Sequence, residues 1–398
     1  MKLITDLHIH SRYSLATSRE LELGPISSAC RRKGIGLCAT GDITHPQWVQ
    51  HLKSNLKEAG EGLFSFEEIL FVLGGEVSQV FRQGGKCRRV HNLIFVPGFT
   101  ELELLNRQLA NYGKLGSDGR PTLMLDCRTL VKIAKDISPR IEIIPAHAWT
   151  PWYSVFGSKS GFDSLEDCFG EMSSEIKALE TGLSSDPAMN WQWSALDTIA
   201  LISNSDAHSP EKLGREANII EIEPTYAGLF DALYSRDPKK FLSTVEFYPE
   251  EGKYHLDGHR KCGQILTPDE SSQNKGICPV CHKPLTLGVL NRIKTLGDRP
   301  EGSPSPHSIP FIRMVPLMEI IAQVQQVKPA SKKVRRIYLE WLNEFGTEFD
   351  ILLEVSLEEM KKKDFQLGEA IGKVRSGDLI IHPGYDGIFG EVKINASH

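Results

Sequence analysis

The chain lacks any run of eighteen consecutive apolar residues, so nothing in it predicts a helix that spans a membrane. Its first residues also lack a basic segment followed by an apolar one, and we therefore expect a cytoplasmic protein that is neither secreted nor inserted in a membrane. A large excess of one charge is missing too, because the formal net charge is only -5. The 398 residues, 40% of them hydrophobic, are enough for two or three globular domains.

Closely spaced cysteines are absent from the first half, where five single cysteines are interpreted as reduced thiols. Further along, His259 and Cys262 form one pair and Cys278 and Cys281 another, with two residues inside each pair and fifteen between the pairs. This spacing is typical of a structural zinc ribbon. His255 and His282 are alternatives to His259 as the fourth ligand.

Short apolar runs alternate with amphipathic stretches over the first 240 or so residues. Strand followed by helix, repeated this often, favours an α/β barrel over an open sheet. The predicted strands are 3–9, 35–40, 69–77, 91–97, 141–147, 177–181, 198–204 and 218–223.

Two histidines end the first predicted strand, in the segment "TDLHIHSRYS". Alternate residues of a strand point to the same side, so His8 and His10 would aim their nitrogens at one point, as metal ligands do. Taken alone, the pair also fits two exposed polar residues at a strand end. More imidazoles and carboxylates follow the other strands, where a barrel builds its active site: Asp42, Glu76, His147, Glu180, Asp206 and His208.

His91 differs from these residues because it begins its predicted strand. Gly84 and Gly85 predict a hairpin that sets Glu76 opposite Leu93 and His91 opposite Ser78, which places Glu76 and His91 on one face. So many mixed imidazole and carboxylate donors suit two or three ions of zinc, manganese or iron.

The ordered motifs "DLHIHS", "TGD", "GGEVS", "HNLIFV", "PAHAW", "LETG" and "NSDAH" resemble the polymerase and histidinol phosphatase (PHP) superfamily of metal-dependent phosphoesterases. The resemblance implies a distorted seven-stranded (β/α) barrel with up to three metal ions. It further implies one ion held by His8, His10, Glu76 and Asp206, a second that Glu76 shares with His91 and His147, and a third held by Asp42 and His208. Where many members have a further His and read "TDH", this chain has Ala16 and Ile43, and His45 is a substitute ligand for the third ion.

Beyond the barrel, predicted over residues 1–245, the chain continues as a zinc-ribbon domain over 246–297 and a mainly helical nucleic-acid-binding domain over 298–398. This order, with "PGYDGIFGEV" near the end, resembles the endonuclease Q branch of the superfamily. That resemblance implies DNA repair by a nick on the 5′ side of deaminated bases (hypoxanthine, uracil or xanthine) and of abasic sites. The alternatives are a histidinol-phosphatase-like phosphomonoesterase and an inactive PHP scaffold that binds nucleic acid.

The implied reaction is phosphodiester hydrolysis in which the metal ions activate a water and clamp the phosphate. Glu76 and Asp206 would fix the bridging geometry, while His208 or the third ion would neutralise the leaving oxygen. The polar and aromatic loops at the catalytic face supply the expected DNA contacts, which are Arg12, Trp152, Tyr153, Lys159, Glu180, Ser184, Ser185 and Asp186. No short motif supports a sliding clamp as a partner.

Overall fold

The computed structural model describes residues 1–395, so the last three residues of the predicted C-terminal domain lie outside the described part. Its strands are β1 Lys2–Asp6, β2 Leu37–Ala39, β3 Lys57–Glu58, β4 Phe64–Phe66, β5 Ile69–Gln83, β6 Lys86–Val96, β7 Thr122–Leu123, β8 Glu142–Pro145, β9 Ala178–Glu180, β10 Ala200–Ile202, β11 Ala217–Glu221, β12 Phe241–Glu246, β13 Asp257–His259, β14 Gln264–Leu266, β15 Phe311–Arg313, β16 Leu379–His382 and β17 Glu391–Ile394.

Helices fill most of the connections between these strands and form the C-terminal region. They are α1 Leu23–Lys33, α2 Pro46–Asn55, α3 Phe99–Leu109, α4 Cys127–Ile137, α5 Leu165–Phe169, α6 Pro187–Asn190, α7 Tyr226–Ser235, α8 Pro268–Gln273, α9 Val289–Leu296, α10 Leu317–Val324, α11 Lys332–Phe345, α12 Leu357–Lys363 and α13 Phe365–Ser376. Within residues 1–395, none is both long enough and apolar enough to cross a bilayer.

The strands from β1 to β12 belong to a distorted α/β barrel, which is the fold class that the sequence predicts. β1, β2 and β5 pair in parallel, and β9 pairs in parallel with β10. The distortion comes from β6, which runs antiparallel to both β5 and β8, and from β11, which runs antiparallel to β1. Buried side chains such as Leu7, Ile144 and Ile202 fill the space among these strands.

The predicted hairpin between β5 and β6 is confirmed in its register. Glu76 faces Leu93 and Ser78 faces His91 across the pair, and the turn falls at Gly84 and Gly85, both with positive φ. Because side chains alternate along each strand, this register places Glu76 and His91 on the same face of the hairpin.

The strand that carries the two N-terminal histidines is shorter than predicted. β1 ends at Asp6, not at residue 9, because the backbone beyond it bonds to side chains in place of a neighbouring strand. Leu7 N–H donates to Asn204 Oδ1 at 2.9 Å, and the Asp6 carboxylate accepts from Ser205 N–H at 3.1 Å. A single bridge between Ile9 and Ala207 keeps the chain extended, so His8 and His10 still reach the same site.

The ribbon and the C-terminal region are both joined to the barrel. β13 and β14 form a small antiparallel pair over a minimal core of Leu266, Cys278 and Leu285. Beyond the ribbon, β15 pairs in parallel with barrel strand β12, although the sequence predicts a separate domain from residue 298. The C-terminal region is mainly helical, as predicted, and ends in the β16–β17 hairpin.

Candidate metal centre and substrate surface

Four side chains from distant parts of the chain meet at the mouth of the barrel. His8, His10, Glu76 and Asp206 each offer a ligand atom, and these atoms all lie within 4.8 Å of one another. His10 Nε2 is 3.0 Å from Asp206 Oδ1, and His8 Nε2 is 3.4 Å from Glu76 Oε2. The structure therefore brings together the residues that the resemblance assigns to the first ion.

A second group adjoins the first and shares Glu76 with it. Glu76 Oε1 lies 2.6 Å from His91 Nδ1 and 3.1 Å from His147 Nε2. Because Glu76 belongs to both groups, its two oxygens face two different sets of imidazoles. This is the arrangement expected of a carboxylate that bridges two ions.

The donor set fits divalent metal ions. His8 Nε2 is buried and makes no hydrogen bond within the described residues, although it points among three other ligand groups. A buried nitrogen without a partner is costly, and a metal ion would satisfy it. Imidazole and carboxylate together are ligands for ions such as zinc and manganese.

Glu180 orients the ligands of this centre from the side opposite the expected ions. Its carboxylate lies 2.9 Å from His8 Nδ1, and it accepts hydrogen bonds from His147 N–H at 2.8 Å and from Asn204 Nδ2 at 2.9 Å. A carboxylate on the far nitrogen of a ligating histidine fixes the ring and its tautomer. Glu180 is fully buried and bonded to His8 and His147, so its carboxylate orients these histidines. It does not contact DNA, contrary to the expectation from the sequence.

Asp42 occupies a similar position behind His10. Its carboxylate accepts from Ser11 N–H at 2.7 Å and from Ser14 Oγ at 2.9 Å, and it lies 3.2 Å from His10 Nδ1. His208 contacts the His10 ring instead, with centroids 4.6 Å apart. Within residues 1–395 these two residues belong to no metal-capable group of three donors, so their third ion stays a prediction.

His45, the substitute ligand for the third ion, lies at the start of α2. Its ring stacks on Tyr13 with centroids 4.3 Å apart, and its Nδ1 is buried without a hydrogen-bond partner among the described residues. Burial lowers the pKa of His45 more than the nearby Asp42 carboxylate raises it, which keeps the imidazole neutral. The structure thus leaves His45 chemically suited to bind a cation.

The charges at the centre are strongly coupled. Burial alone would lower the pKa of His8, but the carboxylates of Glu180, Asp206 and Glu76 raise it well above its usual value. Burial opposes the charge of His10 too, yet Asp206 and Asp42 raise its pKa to about 9. Without an ion these imidazoles hold protons, so metal binding must release them.

Arg120 is a residue of the centre that sequence reasoning missed. Its guanidinium donates to Glu76 Oε2 at 2.9 Å, and its side chain is three-quarters buried. The loop before it is tightly built, because Asp118 accepts from Arg120 N–H and a Cβ on Gly119 would clash with the Asp42 carboxylate. The loop follows a short 3-10 helix and precedes β7, so a search confined to the ends of strands passes over it.

The ribbon donors also meet. His259, Cys262, Cys278 and Cys281 form a third metal-capable group, in which Cys281 Sγ lies 3.4 Å from His259 Nδ1. His255, one alternative fourth ligand, is buried elsewhere, where the charges that act on it come from Asp186 and Arg313. Three thiols and one imidazole suit a structural zinc ion.

The predicted DNA contacts divide by exposure. Trp152, Tyr153, Lys159, Ser184 and Arg12 retain accessible surface, and Arg12 pairs with Glu22.

Two of the predicted DNA contacts, Ser185 and Asp186, have no accessible surface. Both are fully buried, and Asp186 caps α6 and accepts from Arg313 Nε at 2.9 Å. The expectation that these two side chains read base edges is wrong, because buried groups bonded within the protein cannot reach a base.

Comparison with solved structures identifies the family that has this fold and this set of donor groups. The crystal structure of the lesion-specific endonuclease PfuEndoQ from Pyrococcus furiosus matches with a TM-score of 0.89 and 32% identity, over 99% of this chain and 96% of that chain. The chain belongs to the endonuclease Q family. A complex of endonuclease Q with a 27-mer duplex substrate, which carries an abasic lesion at the active site, matches with a TM-score of 0.88 and 33% identity over 99% and 97% of the two chains.

Sequence comparison gives one matching family model and one similar protein. Residues 316–378 match the family model described as the MJ0043 C-terminal domain. The uncharacterized protein MJ0043 of Methanocaldococcus jannaschii is 30% identical over 253 residues, which are 62% of this chain and 31% of that protein. The chain therefore spans about a third of the length of that relative.

Proposed function

We propose that this protein is a DNA repair endonuclease that hydrolyses a phosphodiester on the 5′ side of deaminated bases and abasic sites. The observation that supports this most is the pair of donor groups that share Glu76, in a chain whose fold matches endonuclease Q bound to an abasic duplex. The lesions are hypoxanthine, uracil, xanthine and the abasic site. A cytoplasmic location stays a prediction, and a sliding-clamp partner stays without support from any short motif.

Divalent metal ions belong to this function, and we propose at least two in the barrel. His8, His10, Glu76 and Asp206 would hold the first, and His91 and His147 with Glu76 the second. A third would be held by Asp42 or His45 with His208, and one structural zinc by the ribbon. When bound, ions of zinc, manganese or iron supply an activated water and polarise the scissile phosphate.

The protein groups around the ions have separate tasks. Glu180 and Asp42 hold the rings of His8 and His10 so that the opposite nitrogens face the site. His208 Nδ1 lies 2.9 Å from the carbonyl oxygen of Asp206, which fixes the proton on Nδ1 and leaves Nε2 as an acceptor.

Arg120 brings a permanent positive charge to the phosphate. Its contact with Glu76 places the guanidinium beside both ligand groups, where it would stabilise the negative charge that builds on the phosphate oxygens. An arginine keeps this charge at any pH at which the enzyme works.

A labelled duplex with one uracil or hypoxanthine tests the proposal. We expect a single cut 5′ to the lesion that is lost with EDTA and also in Glu76→Gln, a variant that removes the shared ligand and leaves the ribbon thiols intact. The undamaged duplex is the substrate control, and the exposed Glu58→Gln is the matched variant. Turnover of small phosphate monoesters without any cutting of the duplex would favour the phosphomonoesterase, and no hydrolysis of either would favour the inactive scaffold.

A further inference from the structure

The tip of the last hairpin exposes two apolar side chains. Phe389 is 68% exposed and Ile388 is 41% exposed, side by side in the segment "YDGIFG". Exposed apolar area of this size costs free energy in water unless a partner covers it. The tip therefore presents apolar surface that is largely uncovered within residues 1–395, although the Lys253 ammonium lies beside the Phe389 ring.

The tip is rigid. Tyr385 N–H donates to Ile388 O at 3.0 Å, and Ile388 N–H returns a bond to Tyr385 O at 2.8 Å. Between them, Asp386 and Gly387 both have positive φ, at 42° and 86°, which is the two-residue turn that Asp-Gly sequences favour. Gly387 N–H also donates to Lys253 O at 2.9 Å, so the turn is fastened to the segment that precedes the ribbon.

A path of ring contacts leads from the metal centre towards this tip. Tyr153 packs on His91 with centroids 4.7 Å apart, and its neighbour Trp152 packs on Tyr254 at 5.5 Å. Lys253, next to Tyr254, places its ammonium 4.6 Å from the centre of the Phe389 ring. Aromatic faces with a lysine beside them are the usual surface on which proteins stack bases and hold phosphates.

We propose that Phe389, supported by Ile388, is a wedge that enters the DNA duplex beside the lesion and fills the space left when the damaged nucleotide leaves the stack. The inference depends on the proposed function, because an enzyme that cuts only beside a damaged base must first inspect that base, and extrusion from the duplex exposes the edges to be inspected. Rigid apolar side chains that insert between base steps serve this purpose in other DNA-binding proteins. Lys253 would exchange its contact with the Phe389 ring for a phosphate.

The wedge is tested with one labelled strand in two duplex contexts. The strand carries a single uracil and is annealed either to a full complement or to one that leaves the lesion and its neighbours unpaired. Phe389→Ala should slow cutting of the paired substrate about 10- to 100-fold, the loss expected when one stacking contact is removed. Cutting of the unpaired substrate should change less than about threefold, because no stack then has to be opened.

Phe365→Ala is the matched control. Phe365 is 67% exposed, nearly the same as Phe389, but it begins α13 and, among residues 1–395, makes no ring contact with the path from His91 to the tip. The Phe365→Ala variant should cut both substrates at the wild-type rate. Phe389→Leu, which keeps an apolar side chain at the tip, should retain most of the activity that Phe389→Ala loses. Thermal unfolding of each variant checks that the fold is retained.

A second readout avoids cutting altogether. In the Glu76→Gln background, 2-aminopurine next to the lesion should brighten on binding, and Phe389→Ala should reduce that change. If Phe389→Ala slows cutting of the paired and unpaired substrates equally, or slows neither, the wedge is overturned. The proposed function is unaffected by that result, provided that the wild-type protein cuts the lesion. If the wild-type protein cuts no lesion, the proposed function itself fails, and the fluorescence signal then reports whether the duplex is opened at all.

Discussion

The barrel and the ribbon each gather metal ligands, but they hold them in different ways. In the barrel, Glu180 and Asp42 orient the histidines, and an extensive core surrounds the strands. In the ribbon, the core consists of Leu266, Leu285 and the ligand Cys278 itself. The barrel should therefore keep its shape without ions and lose only its chemistry, whereas the ribbon should need its ion to fold.

The largest effect should come from the ligand that both barrel groups share. Glu76→Gln keeps the volume of the side chain but weakens both ion sites, so we expect cutting to fall roughly a thousandfold or more. Single-turnover cleavage and metal content measure the loss. A cooperative unfolding transition like that of the wild type should remain, and a collapse of the fold would contradict the independence of barrel structure from metal.

Replacing Arg120 should slow the reaction without removing the ions. For Arg120→Gln we expect kcat to fall about 10- to 1,000-fold, the range for loss of one group that stabilises transition-state charge. Metal content should stay at the wild-type level, which separates this effect from that of Glu76→Gln. Arg128→Gln, on the surface of α4, is the control, and Arg120→Lys should recover part of the rate.

The ribbon should respond in its structure and in DNA binding. Cys278→Ser removes a buried thiol ligand, so we expect loss of the ribbon zinc, proteolytic cleavage within 260–284 and weaker binding of the duplex. Hydrolysis of a small phosphodiester in the barrel should persist. Cys87→Ser changes an exposed single cysteine and should leave all of these unchanged. A ribbon that stays protease-resistant without zinc would remove the contrast with the barrel.

Glu180→Gln tests whether orientation by a buried carboxylate matters in the barrel. Metal affinity should fall about 10- to 100-fold, as is usual when the partner of a ligating histidine is changed. Titration of the metal against activity measures the shift, and excess metal should restore much of the rate. Glu142→Gln alters another buried carboxylate at the start of β8, away from the ligands, and should not weaken metal binding.

The smallest effect concerns a barrel carboxylate, Glu246, that forms no ion pair with a basic side chain within residues 1–395. Burial and the nearby Asp186 charge raise the pKa of Glu246 to about 8 from an ordinary 4.5, although hydrogen bonds such as that from Thr181 oppose the rise. Between these values the folded protein holds a proton that the unfolded chain has released, so stability should fall as pH rises from about 4.5 to about 8.

Glu246→Gln should remove this dependence. The Tm of the variant should exceed that of the wild type by more at pH 8 than at pH 5, with a difference of a few degrees. Thermal melts at the two pH values measure it. If the Tm difference between the variant and the wild type is the same at pH 5 and pH 8, burial does not raise the pKa of Glu246.

Much of the fold and of the candidate site follows from local patterns. Apolar runs locate the barrel strands, the polar residue after each run locates His147 and Asp206, and two glycines set the β5–β6 register. These inferences succeed because each depends on the period of a strand or on the geometry of a tight turn.

The parts that the sequence did not predict depend on contacts between distant segments. Asp186 resembles an exposed loop residue until Arg313, 127 positions later, covers it. Arg120 enters the centre from a loop, and β15 joins the barrel sheet after the whole ribbon has intervened. No local period carries such information, since it arises only when the chain packs on itself.

The pairing of β15 with β12 also constrains how the molecule can move. The ribbon lies between two segments that both belong to the barrel sheet, so it is tethered at its two ends and not suspended from one. A module tethered twice has little freedom to swing away. The hairpin tip that is bonded to Lys253 and the ligand groups at the barrel mouth should consequently keep a fixed separation. Under the proposed function, this separation would set the distance between the wedge and the bond that is cut.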